Sequence, residues 1–133
     1  YMYFNPKEDA LMRLTIGGDT RLSSLQSDFN NYFPYLKIEF FKIPHRIGEA
    51  LAKNLIYDKN KMVRDCRLMK SEGVLEFSNS MTVSDFEDKF QKEFGLSVQV
   101  FRRSGNVWLE TSATDSWTLE QQNSESTELS SGL

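Results

Sequence analysis

The chain has one cysteine, Cys66, and one histidine, His45. A lone cysteine closes no internal disulfide, and with a single histidine it offers no zinc-ligand spacing, so the composition fits a reducing compartment. No apolar run approaches the ~18 residues that a membrane span needs, and no charged-then-apolar signal segment opens the chain. A cytoplasmic protein without membrane contact is the expectation. An excess of positive charge is also lacking: 16 Lys and Arg stand against 19 Asp and Glu, for a net charge of −3 and a pI near 5.2. Wholesale binding to nucleic acid draws its affinity from an excess of Lys and Arg, so that class is disfavoured. The average conceals an uneven distribution: residues 42–70 carry eight basic and three acidic side chains, residues 71–133 four basic and eleven acidic.

Signatures of catalysis are missing too. His45 follows Pro44 in a predicted loop, where a lone histidine points to no reaction by itself. Cys66 falls on an apolar stripe, the usual place of a small buried thiol. Gly17-Gly18 stands between a predicted strand and helix but lacks the further glycines and the lysine of a phosphate loop, and Asp19 would repel phosphate there. Asp85, Glu87, Asp88 and Glu93 flank a buried helical stripe and read as a solvated face, partly balanced by Lys89 and Lys92. No acidic repeat has the spacing of a calcium loop. Neither a catalytic residue nor a metal or cofactor is expected.

What the chain does have is a doubled unit. Leu14, Ile16, Leu22, Leu25, Phe29 and Phe33 recur 61 positions later as Leu75, Phe77, Val83, Phe86, Phe90 and Phe94. Leu36, Ile38, Phe40 and Phe41 recur 60 positions later as Leu96, Val98, Val100 and Phe101. In each copy the apolar residues alternate, then recur at helical spacing, then alternate again, which reads as strand, helix, strand. Asp19 or Thr20 is the predicted cap of the first helix and Pro34 its stop. Thr82 with Asp85 resembles a capping box for the second, and Gly95 suits a left-handed C-cap. Met62, Val63, Cys66 and Met69 predict a linking helix near residues 60–70. A fifth strand follows by a hairpin with a Ser104-Gly105 turn, which sets Phe101 opposite Trp108.

These elements predict one α+β domain over residues 11–122, with repeats at residues 12–43 and 74–110. Residues 1–10 form an N-terminal extension, and residues 123–133, mostly Ser, Glu and Thr, a disordered tail. The expected architecture is a two-layer sandwich of ferredoxin-like type: one mostly antiparallel sheet of about five strands, order 4-1-3-2 with the extra strand beside strand 4, and both helices on one face. Direct pairing of two strands of the doubled unit is the alternative.

With the helices on one side, Lys37, Phe41, Gln99, Phe101 and Trp108 point to the other, joined at the hairpin by Arg102 and Arg103. Large aromatics on a face otherwise polar are either a contact surface or covered by the tail, with Trp117 as lid. The basic segment with Lys59, Lys61, Arg64, Arg67 and Lys70 reads as the polar side of a helix, too poor in aromatics to stack on bases.

Residues 94–123, FGLSVQVFRRSGNVWLETSATDSWTLEQQN, resemble a family of small uncharacterised bacterial proteins that carry a similar Phe-Pro-Tyr-Leu-Lys-Ile-Glu-Phe segment in their first half. No activity is known for that family, so the resemblance implies no catalytic residue. The expectation is a non-enzymatic protein-interaction or regulatory module that engages a protein partner or forms a homodimer. A nucleic-acid-binding module using the sheet aromatics with Arg102 and Arg103 is the alternative.

Overall fold

The computed structural model describes residues 11–42 and 52–131, with side chains as far as Ser126. The N-terminal extension and His45 lie outside the described residues. Five strands and three helices follow in the order β1 (Leu11–Ile16), α1 (Leu22–Tyr32), β2 (Leu36–Phe41), β3 (Gly73–Ser78), α2 (Val83–Phe94), β4 (Ser97–Ser104), β5 (Val107–Glu110) and α3 (Leu119–Ser131). The fold is α+β, but the single five-stranded sheet is replaced by two antiparallel sheets, β1-β3 and β2-β4-β5. Leu14 faces Leu75 in the first ladder and Glu39 faces Gln99 in the second. These are the residues that the 61- and 60-residue offsets align, so each strand meets its own counterpart. Two strands with one apolar pattern then match inward residues automatically, as in Met12 with Phe77 and Phe40 with Val98.

Hydrogen bonding shows why β1 and β3 do not join the larger sheet. Along the far edge of β2, Asn30 Nδ2 donates to Leu36 O (2.9 Å) and Gln26 Nε2 to Ile38 O (2.8 Å). Ile56 N donates to Phe40 O (2.9 Å). On β4, Glu87 accepts from Val100 N (2.8 Å), while Thr111 N and Oγ1 donate to Val100 O. Side chains of the helices and neighbouring loops thus hold the groups that a further strand would need.

Both helices bridge the sheets, α1 touching β1 and β2, and α2 touching β3 and β4. Their stripes meet in one aromatic core. Ring centroids are 5.1 Å apart for Phe29–Phe86 and for Phe77–Phe86, and 5.2 Å for Phe86–Phe90, separations typical of tilted and edge-on aromatic contacts.

The helix N-termini show how the connecting segments are used. Leu22 N and Ser23 N, which lack intrahelical partners, donate to Lys61 O and Lys59 O. Val83 N and Ser84 N donate in the same way to Trp117 O and Asp115 O. Residues 59–62 are therefore not a linking helix: the backbone at Met62 is extended, and only a 3-10 turn forms over Val63–Asp65. Thr20 does not cap α1 either, because its Oγ1 accepts from Gly17 N (2.9 Å) within the preceding turn. The expected caps of α2 are present, with Asp85 N donating to Thr82 Oγ1 and Gly95 at φ 65°.

The hairpin turns at Gly105-Asn106 rather than Ser104-Gly105, so Trp108 faces Arg103 and Leu109 faces Arg102. Gly105 has φ 59°, the left-handed conformation that favours glycine at the first central position of a tight hairpin turn. A two-residue shift keeps every side chain on its expected face. Where a tail was expected from residue 123, the described residues continue helix α3, Leu119–Ser131. Thr118 and Gln121 exchange hydrogen bonds in a capping box, and Leu119, Gln122 and Ser126 are buried.

Candidate interaction surface

Three of the seven predicted surface residues come together on the outer face of the larger sheet. Lys37 Nζ sits 5.0 Å from the Trp108 ring centroid and 5.6 Å from that of Phe101, within cation–π range of both. The lysine is held from the other side by Glu39 (3.1 Å), which also pairs with Lys59 (3.0 Å) and accepts from Gln26 Nε2 (3.2 Å). A side chain with four rotatable bonds is thereby fixed between two half-exposed aromatics. Arg103, opposite Trp108, donates from Nε to Gly105 O (2.9 Å) and braces the turn.

The other three do not join this patch. Phe41 is 4% exposed, and residues 54–56 run along its edge of β2, with Leu55 in a main-chain bridge to it. Gln99 is 1% exposed, with Nε2 donating to Val100 O. Arg102 lies on the opposite face, across from the buried Leu36, with its guanidinium 5.6 Å from the Trp117 ring and its Nη1 buried without a partner among the described residues. Trp117 is therefore no lid on Phe101 and Trp108; its carbonyl caps α2.

Beside the patch, β5 is the end strand of its sheet among the described residues, and Val107 and Leu109, on the face away from Trp108, are 55% and 40% exposed. Its sequence, Val-Trp-Leu-Glu, carries neither the lysine nor the proline that commonly blunts such an edge. The basic segment is largely neutralised locally: Lys59 pairs with Glu39, Arg64 with Asp19 and Arg67 with Glu72.

Two titratable groups stand out. Cys66 is half-buried and lines a cavity of about 250 Å³ with Lys42, Ile56, Lys61 and Asp65; burial pushes its thiol up from the ordinary value. Glu87 does not belong to a solvated face as its neighbours do. Desolvation by burial pushes its carboxyl up to about 8, opposed by the hydrogen bond from Val100 N and reinforced by Asp115, Asp88 and Glu110. Glu87 stands 61 residues after Gln26, which also reaches the edge of the strand that follows its helix, but Gln26 donates to Ile38 O whereas Glu87 accepts from Val100 N.

Among the described residues, no group of three or more His, Cys, Asp or Glu is placed to hold a metal ion, and no helix is long and apolar enough to cross a membrane. Comparison with protein-family models, curated proteins and solved structures finds no match to this chain.

Proposed function

We propose that this chain is a non-enzymatic protein-interaction or regulatory module, and that its contact surface is the Lys37–Phe101–Trp108 patch continued by the open edge of β5. The observation that carries this reading is an edge of β5 that meets no further strand among the described residues, with exposed Val107 and Leu109 on one face of it and, on the other, two aromatics that Lys37 holds in place. An extended segment of a partner, or β5 of a second copy, adds a strand there through main-chain hydrogen bonds, while the aromatics supply contact area at little entropic cost. The lone cysteine suits a reducing compartment such as the cytoplasm.

The alternative, a nucleic-acid-binding module, is the weaker reading. Arg102 is turned away from the aromatics, Arg103 braces the turn, and Lys59, Arg64 and Arg67 of the basic segment are paired with acids. An edge substitution tests the proposal. Leu109→Lys places a charge on β5 while leaving the core untouched. Self-association or partner binding, measured by sedimentation velocity, is expected to weaken in this variant, with unchanged far-UV circular dichroism. Equal association by wild type and variant removes the edge from the account.

A further inference from the structure

We propose that the occupant of the β5 edge is a second copy of this chain: two β5 strands pair antiparallel about a two-fold axis through Trp108, joining the larger sheets of both copies into one. The inference rests on the reading that β5 is the contact edge and names what that edge takes. Among the described strands β5 alone is left open. Tyr32 Oη accepts from Arg13 N (3.4 Å) and donates to Arg13 O (3.2 Å) along β1, and Lys89 Nζ donates to Glu76 O (2.6 Å) on β3. Helix side chains hold edge groups of β2 and β4 in the same way. Within the described residues nothing of this kind reaches the outer edge of Val107–Glu110.

The ladder fixes which main-chain groups face outward. Residues directly opposite in an antiparallel pair turn their N–H and C=O groups either both toward each other or both away. Arg103 N donates to Tyr35 O, away from β5, so Trp108 opposite it turns its own groups to the open edge, as does Glu110 two residues on. Opposed residues of an antiparallel pair also share a face, so a two-fold axis must pass through a residue. An axis at Trp108 makes that residue a hydrogen-bonded pair with its counterpart. Val107 of each copy then lies against Leu109 of the other, and the two exposed apolar side chains cover each other. Glu110 comes opposite Asn106, toward which Arg103 is already drawn by the bond from its Nε to Gly105 O (2.9 Å). Neither Arg103 nor Glu110 has an ion pair among the described residues, and the axis offers each to the other twice. An axis at Leu109 matches neither pair, since it sets Trp108 against Glu110 and Val107 against the buried Thr111.

A charge exchange between copies tests the register. The full chain, Arg103→Glu, Glu110→Arg and an equal mixture of the two variants are compared by sedimentation velocity over a concentration series, with circular dichroism as the check on folding. Wild type is expected to dimerise, and each variant alone to dimerise about tenfold more weakly, because like charges meet at both ends of the pair. The mixture regains wild-type association, since every Glu then meets an Arg. A wild type that stays monomeric, or a mixture no tighter than its components, overturns the proposal. If that monomer still binds another protein and loses it on Leu109→Lys, the second copy is refuted and the contact edge stands; a dimer indifferent to Leu109→Lys refutes both. Should a charge variant fail to fold, Trp108→Cys in a Cys66→Ser background decides. The axis sets the two residues 108 about 5.5 Å apart between Cα atoms, within disulfide reach, so mild oxidation links two copies, whereas Glu110→Cys in the same background does not link. Equal linking at both positions, or none at 108, overturns the register.

Discussion

Replacing Glu87 by Gln should stabilise the protein, and by an amount that grows with pH. The side chain sits in the fold with its carboxyl pushed from an ordinary 4.5 up to about 8. Between those values the folded chain holds a proton that the unfolded chain has released, so stability falls as pH rises through the window. Each pH unit corresponds to about 1.4 kcal/mol, which gives a ceiling of about 5 kcal/mol above pH 8 and about 3 kcal/mol at pH 7. Gln keeps an oxygen for Val100 N and removes the charge facing Asp115, Asp88 and Glu110. The assay is urea denaturation of wild type and variant across pH, because subtracting the two curves cancels every other titrating group. The difference should be near zero at about pH 4, climb by up to about 1.4 kcal/mol per unit, and level off above about pH 8. A difference independent of pH would refute the reasoning, since it would mean that Glu87 titrates alike in folded and unfolded chains.

Three further substitutions probe the fold. Gly95→Ala puts a Cβ on a residue at φ 65° and within 2.8 Å of Met69 N, so a loss of about 2 kcal/mol or more is expected by denaturation. Thr118→Ala removes one half of the cap on α3 and should cost about 1 kcal/mol, with faster amide exchange confined to the first turns of that helix. Phe86→Ala opens the centre of the aromatic core, where Phe29, Phe77 and Phe90 all touch it, and should cost about 3–5 kcal/mol by the same measurement.

Strands β1 to β4 and helices α1 and α2 were legible because each displays a clean period: Leu14 and Ile16 at two, Leu22, Leu25 and Phe29 at three and four. Of the pairings, β1 with β3 and β4 with β5 follow the expected order, whereas β2 with β4 does not, since alternation says which face of a strand is buried and nothing about which edge finds which partner. The edges are settled by Gln26, Asn30 and Glu87, polar helix residues whose spacing looks like ordinary solvated surface. Met62, Val63 and Cys66 recur at helical spacing, yet the carbonyls of Lys59 and Lys61 cap α1, and the chain must stay extended to present them. Helix α3 escaped notice because Ser, Glu and Thr suggest disorder, although Thr118 and Gln121 already spelled out a capping box. In the surface patch, Phe101, Trp108 and Lys37 were readable from face parity alone. The burial of Phe41 has no local signal, whereas Arg102, two residues past Val100, falls by the same parity on the opposite face, where Trp117 meets it.

The most direct test of the contact surface compares the full chain with a Phe101→Ala, Trp108→Ala variant, both used as bait in an extract of the native host and both examined alone by light scattering. Half-exposed side chains on an outer face contribute little to the core, so the variant should keep the circular dichroism spectrum of the wild type. The account predicts that wild type retains a specific protein or self-associates, and that the double variant does neither. A wild type that stays monomeric and retains nothing, or a variant that binds as well as wild type, contradicts it.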